Sequence, residues 1–214
     1  MSKAYVALIA DAVDSRSLSP AARATLQSDL RDYLRDLNRT YRRDLVARFA
    51  ITLGDELQCL LRDGRAVWEI SHQIRHAFPE VDWIAACGLG PITTKLSVDA
   101  QPPADEVDGP CFHEARAALE VAKRERRIIA FGGFANPMLN TFGAYYSALW
   151  WSWTATQRKQ ANEWRLRAKT EARLPARLRT QRREPSALSH LRRRMAWPLV
   201  AEGDRMFRSL LEAS

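Results

Sequence analysis

The sequence predicts an α+β body over residues 1–135, followed by an all-α, basic segment over residues 136–214. Three observations carry that prediction. Ala4 to Ala10, AYVALIA, is a continuous apolar run rich in β formers, as expected of a strand buried on both faces, and it ends in Asp11. Arg48 to Leu61, RFAITLGDELQCLL, reads as strand, tight turn, strand. Phe49, Ile51 and Leu53 alternate with Arg48, Ala50 and Thr52, Gly54-Asp55 supplies the turn, and Leu57, Cys59 and Leu61 alternate beyond it. The third observation is charge. Of 33 basic and 25 acidic residues, Trp151 to Ser214 holds 15 basic and 6 acidic, so a near-neutral body carries a strongly basic C-terminal third.

The elements follow in order. Ser19-Pro20 is a helix start, with Ser as N-cap and Pro at the first helical position. Leu26, Leu30, Leu34 and Leu37 then recur at helical spacing up to about Tyr41. After the hairpin, Arg65 to Phe78 predicts a second helix, with Val67, Ile70, Ile74 and Phe78 on its apolar stripe and Pro79 beyond it. Val81 to Leu89 predicts a strand that runs into the Gly88-Leu89-Gly90-Pro91 bend, and Ile92 to Val98 a further short one. Gln101 to Val107 is a Pro-rich acidic loop. Asp108-Gly109-Pro110 starts a helix with Phe112, Ala115, Ala118, Leu119 and Ala122 on one face, and Ile128 to Phe131 is the last strand. Tyr145, Leu149, Trp153 and Trp164 predict an aromatic, core-facing stripe. Thr154 to Arg167 continues as a polar helix.

Several classes are excluded or set aside. No apolar run approaches the ~20 residues needed to span a bilayer. MSKAYVALIAD lacks the basic region and cleavage site of a secretory signal. Cys59, Cys87 and Cys111 lie in apolar contexts, which predicts buried thiols in the cytoplasm. Cys111 with His113, and His72 with His76, have metal-like spacing, but neither pair has the further ligands that complete a site.

The order β-α-β-β-α-β is the split βαβ arrangement of ferredoxin-like sheets. In it the first and second strands run parallel with the third between them. The end of strand one therefore lies beside the hairpin, and Asp11 meets Asp55 on one sheet edge, with Glu56 as an accessory. Like charges held close raise a pKa and destabilise the fold unless a cation intervenes. A carboxylate set completed by water and phosphate oxygens suits Mg²⁺ or Mn²⁺.

ALIADAVDSRSL, RFAITLGDELQCLL and DGPCFHEARAALE together resemble the SatD family of bacterial proteins. That family in turn resembles the palm-like catalytic domain of class III nucleotidyl cyclases and diguanylate cyclases. The resemblance implies that Asp11 and Asp55 are the metal-binding, catalytic acids and that Arg116 faces phosphate. It also implies an Asn one helical turn before that Arg, and Phe112 stands there instead. A metal and nucleotide site is thus expected more than cyclisation.

SatD-like proteins also often end in a helix-turn-helix. Ser186, Ser189 and His190, followed by Arg192, Arg193 and Arg194, resemble its recognition helix, with Leu174 to Leu178 as the helix before it. Short polar residues at the first turn would then meet base edges and the arginines phosphates. The sequence thus points to a DNA-binding regulator whose palm binds a divalent ion and a nucleotide. An active nucleotidyl cyclase or nucleotidyltransferase and a non-catalytic interaction module are the alternatives. DNA, a nucleotide and a second copy of the chain are the partners left open; a membrane is not among them.

Overall fold

A computed structural model describes residues 3–52, 54–97, 101–172 and 186–214. Its sheet has the order β2-β3-β1-β4-β5. The strands are β1 (Tyr5–Ala12), β2 (Leu45–Ile51), β3 (Leu57–Leu61), β4 (Trp83–Gly90) and β5 (Ile129–Gly132). β1 is central and antiparallel to both β3 and β4, β2 is antiparallel to β3, and β5 is parallel to β4. β1 and β2 therefore run parallel with β3 between them, the topology expected from the element order. No strand forms over residues 91–97. That segment is tied to the loop ahead of the following helix instead: Thr93 N donates to Asp108 O at 2.9 Å, and Asp108 N donates to Thr94 Oγ1 at 2.8 Å.

Strand alternation divides the core between two faces. Val6, Leu8, Ala10, Leu57, Cys59 and Leu61 pack beneath α1 (Pro20–Thr40) and α2 (Val67–Ala77). Ala7, Ile9 and Leu60 pack beneath α3 (Pro110–Arg124). β3 is thus covered on both sides, whereas its alternation predicted one buried face. Ser19 Oγ accepts from Ala22 N at 3.2 Å and caps α1, whose buried residues are the four predicted leucines. α3 lies close on the sheet because Gly88 has no side chain: a Cβ there would stand 2.0 Å from Cys111 O.

Both sheet edges are covered, which removes them as templates for another strand. On the β5 side, α4 (Met138–Ser152) turns its two polar core-facing residues to the strand. Asn140 Oδ1 accepts from Phe131 N at 3.0 Å while its Nδ2 donates to Phe131 O at 2.7 Å, and Ser147 Oγ accepts from Ile128 N at 2.9 Å. On the β2 side, Arg48 N donates to Pro102 O at 2.8 Å.

α5 (Ala155–Ala172), α6 (Ser186–Arg194) and α7 (Trp197–Glu212) complete the chain. The expected boundary at 135/136 falls between β5 and α4, but the core continues across it. Phe207 of α7 is fully buried against Trp68 of α2, Phe131 of β5 and Phe142 of α4. Asp204 accepts from Trp68 Nε1 at 3.1 Å and from Arg165 Nε at 2.7 Å. The aromatic stripe also differs from expectation. Trp153 and Trp164 are buried, but on α4 the buried aromatics are Tyr146 and Trp150, and Tyr145 is 76% exposed. Apolar residues surround α4 on all sides, so periodicity could not choose its inner face; Asn140 and Ser147, bonding the strand edge, choose it. The expected helix at Leu174 to Leu178 lies outside the described residues, and a helix-turn-helix is not among the described elements.

Candidate functional site

The site is built by strand parity. Ala7 and Ile9 face α3, so Asp11, two residues on, ends β1 on that face. Across the strand pair Ala10 opposes Leu57, where the pairing ends, and Asp11 and Glu56 follow directly, near enough for the Glu56 and Asp55 charges to act on Asp11. Gly54, at φ +71°, makes the turn that a side chain would strain, and it brings Asp55 alongside. The three acids singled out in the sequence therefore gather at one edge of the sheet. Of the two consecutive acids, Glu56 faces α3 and is 2% exposed, while Asp55 stays half-buried in the turn.

α3 supplies the cations. Arg116 and Lys123 are seven residues apart and lie on one side of the helix, roughly 10 Å from each other along its axis. Arg116 grips Glu56 with both terminal nitrogens, Nη2 reaching Oε1 at 2.7 Å and Nη1 reaching Oε2. Thr52 Oγ1 also donates to Glu56 Oε1 at 2.6 Å. Lys123 Nζ lies 3.0 Å from Asp11 Oδ2. Burial pushes the Asp11 carboxyl above the usual range, with the Asp55 and Glu56 charges adding to it and Lys123 opposing. Burial also pushes Glu56 upward, but the Arg116 and Thr52 hydrogen bonds outweigh it and hold Glu56 below the ordinary value.

One atom is left without a partner. Asp55 Oδ2 is buried and accepts no hydrogen bond. Among the described residues no group of three His, Cys, Asp or Glu side chains is arranged to hold a metal by itself. A Mg²⁺-type ion does not require such a set, because it keeps waters and takes one or two carboxylates together with phosphate oxygens. Asp11 and Asp55 fit that chemistry, and the partnerless Asp55 oxygen is the observation that favours it. Phe112, at the place of the implied Asn, is buried in the core beneath α3. It has no polar atom to offer a ligand.

The other sequence candidates fall elsewhere. Cys111 is buried beside Gly88 and Gly90, whereas the His113 side chain is exposed. His72 is buried among Trp68, Tyr146 and Trp150, where it packs against rings. On α6, Ser186, Ser189, His190, Arg193 and Arg194 are exposed. Arg192 is not free for a phosphate: its guanidinium stacks over Trp164, 5.3 Å from the ring centre. Sequence reasoning missed Lys123. The signal was there, a Lys seven residues after Arg116 and so on the same side of a helix whose Arg116 was already singled out.

The fold and its acidic edge define a ferredoxin-like α+β protein with paired acids and bases at the end of its central strand. The chain belongs to the SatD family, whose pattern matches residues 5–127. No curated protein matches it. Among solved structures it is similar to a bacterial light-regulated adenylyl cyclase, at 11% identity and a TM-score of 0.42, over 67% of this chain and 44% of that one. The chain thus spans less than half the length of that neighbour. Among the described residues no helix is long and apolar enough to cross a membrane.

Proposed function

We propose that this protein binds the phosphates of a nucleotide through a divalent ion at the Asp11–Asp55 edge, and that it reads the nucleotide out rather than converting it. The observation that carries this is the buried, partnerless Asp55 Oδ2 beside Asp11, in a cluster whose cations come from one helix. When bound, Mg²⁺ or Mn²⁺ would neutralise the two carboxylates and polarise phosphate oxygens. Asp11 and Asp55 would hold the ion, and Glu56, fastened to Arg116, would keep that arginine at the site's border. Phe112 argues against turnover, because a missing transition-state donor costs roughly 10²–10³ in rate. Incubating the pure protein with each nucleoside triphosphate and Mn²⁺ should show binding without cyclic product by mass spectrometry. Robust cyclic product from any single nucleotide would overturn the sensor reading and establish an active cyclase.

The output in this reading is DNA binding by the basic third. What supports it is the outward side of α6, where Ser186, Ser189, His190, Arg193 and Arg194 are exposed together. Polar residues at the first turn followed by arginines suit base edges and backbone phosphates respectively. Three free, buried thiols accord with a cytoplasmic setting for such a regulator.

A further inference from the structure

The two ion pairs of the site are built differently. Glu56 is 2% exposed on its side chain and accepts from Thr52 as well as from both arms of Arg116, a fully satisfied pair fixed in one geometry. Asp11 meets Lys123 through a single contact at the last turn of α3, with 39% of the lysine side chain and 19% of the aspartate exposed. An ammonium on a flexible four-carbon stem is a compact point charge that can move off without disturbing the backbone. Like charges held close repel, and the Asp55 and Glu56 charges both act against the Asp11 carboxylate. Some cation must therefore stand at Asp11 for the edge to be stable.

Asp11, Asp55 and Glu56 carry three negative charges against the two positive ones of Arg116 and Lys123. A divalent ion added to this cluster turns a net negative edge into a net positive one. It also takes over the role Lys123 plays at Asp11. We propose that Lys123 is an exchangeable counter-cation: it holds Asp11 until a divalent ion arrives, then swings to the phosphates that the ion carries. The proposal rests on the ion-dependent phosphate site described above and adds its regulation. Lys123 competes with the ion for Asp11, and once displaced it becomes a phosphate ligand. Ion and phosphate therefore strengthen each other's binding by the same factor, as linkage requires. The lysine weakens the site for free divalent ions and strengthens it for the ion–phosphate complex.

The test uses the full chain, Mn²⁺ and inorganic triphosphate. Lys123→Gln should bind Mn²⁺ alone about tenfold more tightly than wild type, the scale of one neighbouring charge removed. It should bind triphosphate in the presence of Mn²⁺ more weakly, and Lys123→Arg should restore both values toward wild type. Equal Mn²⁺ affinity in wild type and Lys123→Gln would overturn the exchange while leaving the ion site standing. No Mn²⁺ binding by the wild type would remove both. Should Lys123→Gln fail to fold in EDTA, the wild type supplies the measurement. Lys123 is one of five lysines, so its Nζ resonance is assignable with the Arg variant, and Mg²⁺ should shift it. A resonance unmoved at saturating Mg²⁺ would overturn the proposal.

Discussion

Asp11 was legible in the sequence because an apolar strand that ends in an acid puts that acid at the strand's end, clear of the core, whatever the surrounding details. Which of Asp55 and Glu56 faces the helix was not. The side-chain period of a strand is two, so a single residue more or less in the turn exchanges the faces of consecutive acids. Here the turn at Gly54 gives Glu56 the buried face and leaves Asp55 with the partnerless oxygen. His72 shows the opposite case, a residue whose spacing suggested ligation and whose role is packing. It is 5% exposed, Trp68 meets it edge to face, and Asn162 is its polar neighbour. Burial, then the Arg165 and Arg75 charges, hold its pKa well below the ordinary 6.5. The unfolded chain therefore takes up a proton near pH 6.5 that the folded chain refuses. This contribution to stability is fully present above that pH and declines below it, by about 1.4 kcal/mol per pH unit. His72→Phe, which keeps a ring between Trp68 and Tyr146, should flatten that slope between pH 6.5 and 5 in denaturant titrations. An unchanged slope would mean that His72 takes a proton in the folded state.

At the scale of elements, the stripes of α1, α2 and α3 and the polar helix α5 were read correctly, whereas α7 (Trp197–Glu212) was not read at all and the inner face of α4 was misread. α1 shows the four leucines the spacing predicted, and α3 buries all five apolar residues assigned to its inner face. α4 has apolar residues all round, so its orientation comes from Asn140 and Ser147 satisfying the open edge of β5, a tertiary demand that no local pattern carries. α6 was read as presenting three arginines, and one of them is spent inside the molecule. Trp164 and Trp197 meet with ring centres 4.8 Å apart and planes tilted by 53°, and Arg192 lies over the first of them. Cation–π stacking of this kind ties α6 to α5 and α7. Of the three arginines, Arg193 and Arg194 are exposed on that helix end. Replacing both by Ala should weaken DNA binding to every sequence alike. It should also flatten the dependence of log K on log salt by about 2, since each phosphate contact contributes roughly 0.9. Arg192→Ala should leave that slope unchanged and lower stability instead. A slope unaltered in the Arg193/Arg194 variant would make these charges a solvated surface and end the DNA reading.

At the scale of the whole molecule, an ion pair ties the basic third to the body and others of its arginines pair with its own acids, so the charge excess seen in the sequence is kept. Arg158 reaches Asp82 at 3.5 Å, Arg165 is bound to Asp204 inside the core, and Arg205 pairs with Glu202. The basic third is thus no loose appendage: α7 supplies Phe207 and Asp204 to the same core that carries the sheet. Composition alone could not separate a basic lid on one core from a second domain, because both show the same excess of arginine. What remains distinct is the α3 face, where the acids and their two cations lie on the side of the sheet away from the C-terminal helices. On that face, in the function proposed, Asp11 and Asp55 together hold a divalent ion. Thermal unfolding with and without Mn²⁺, in wild type and in Asp55→Asn, tests it most directly. At Mn²⁺ 100-fold above its dissociation constant the wild type should gain about 2.7 kcal/mol. Asp55→Asn should lose most of that gain while melting normally in EDTA, since removing one of three crowded negative charges relieves repulsion. Equal Mn²⁺-dependent shifts in the two proteins would contradict the account.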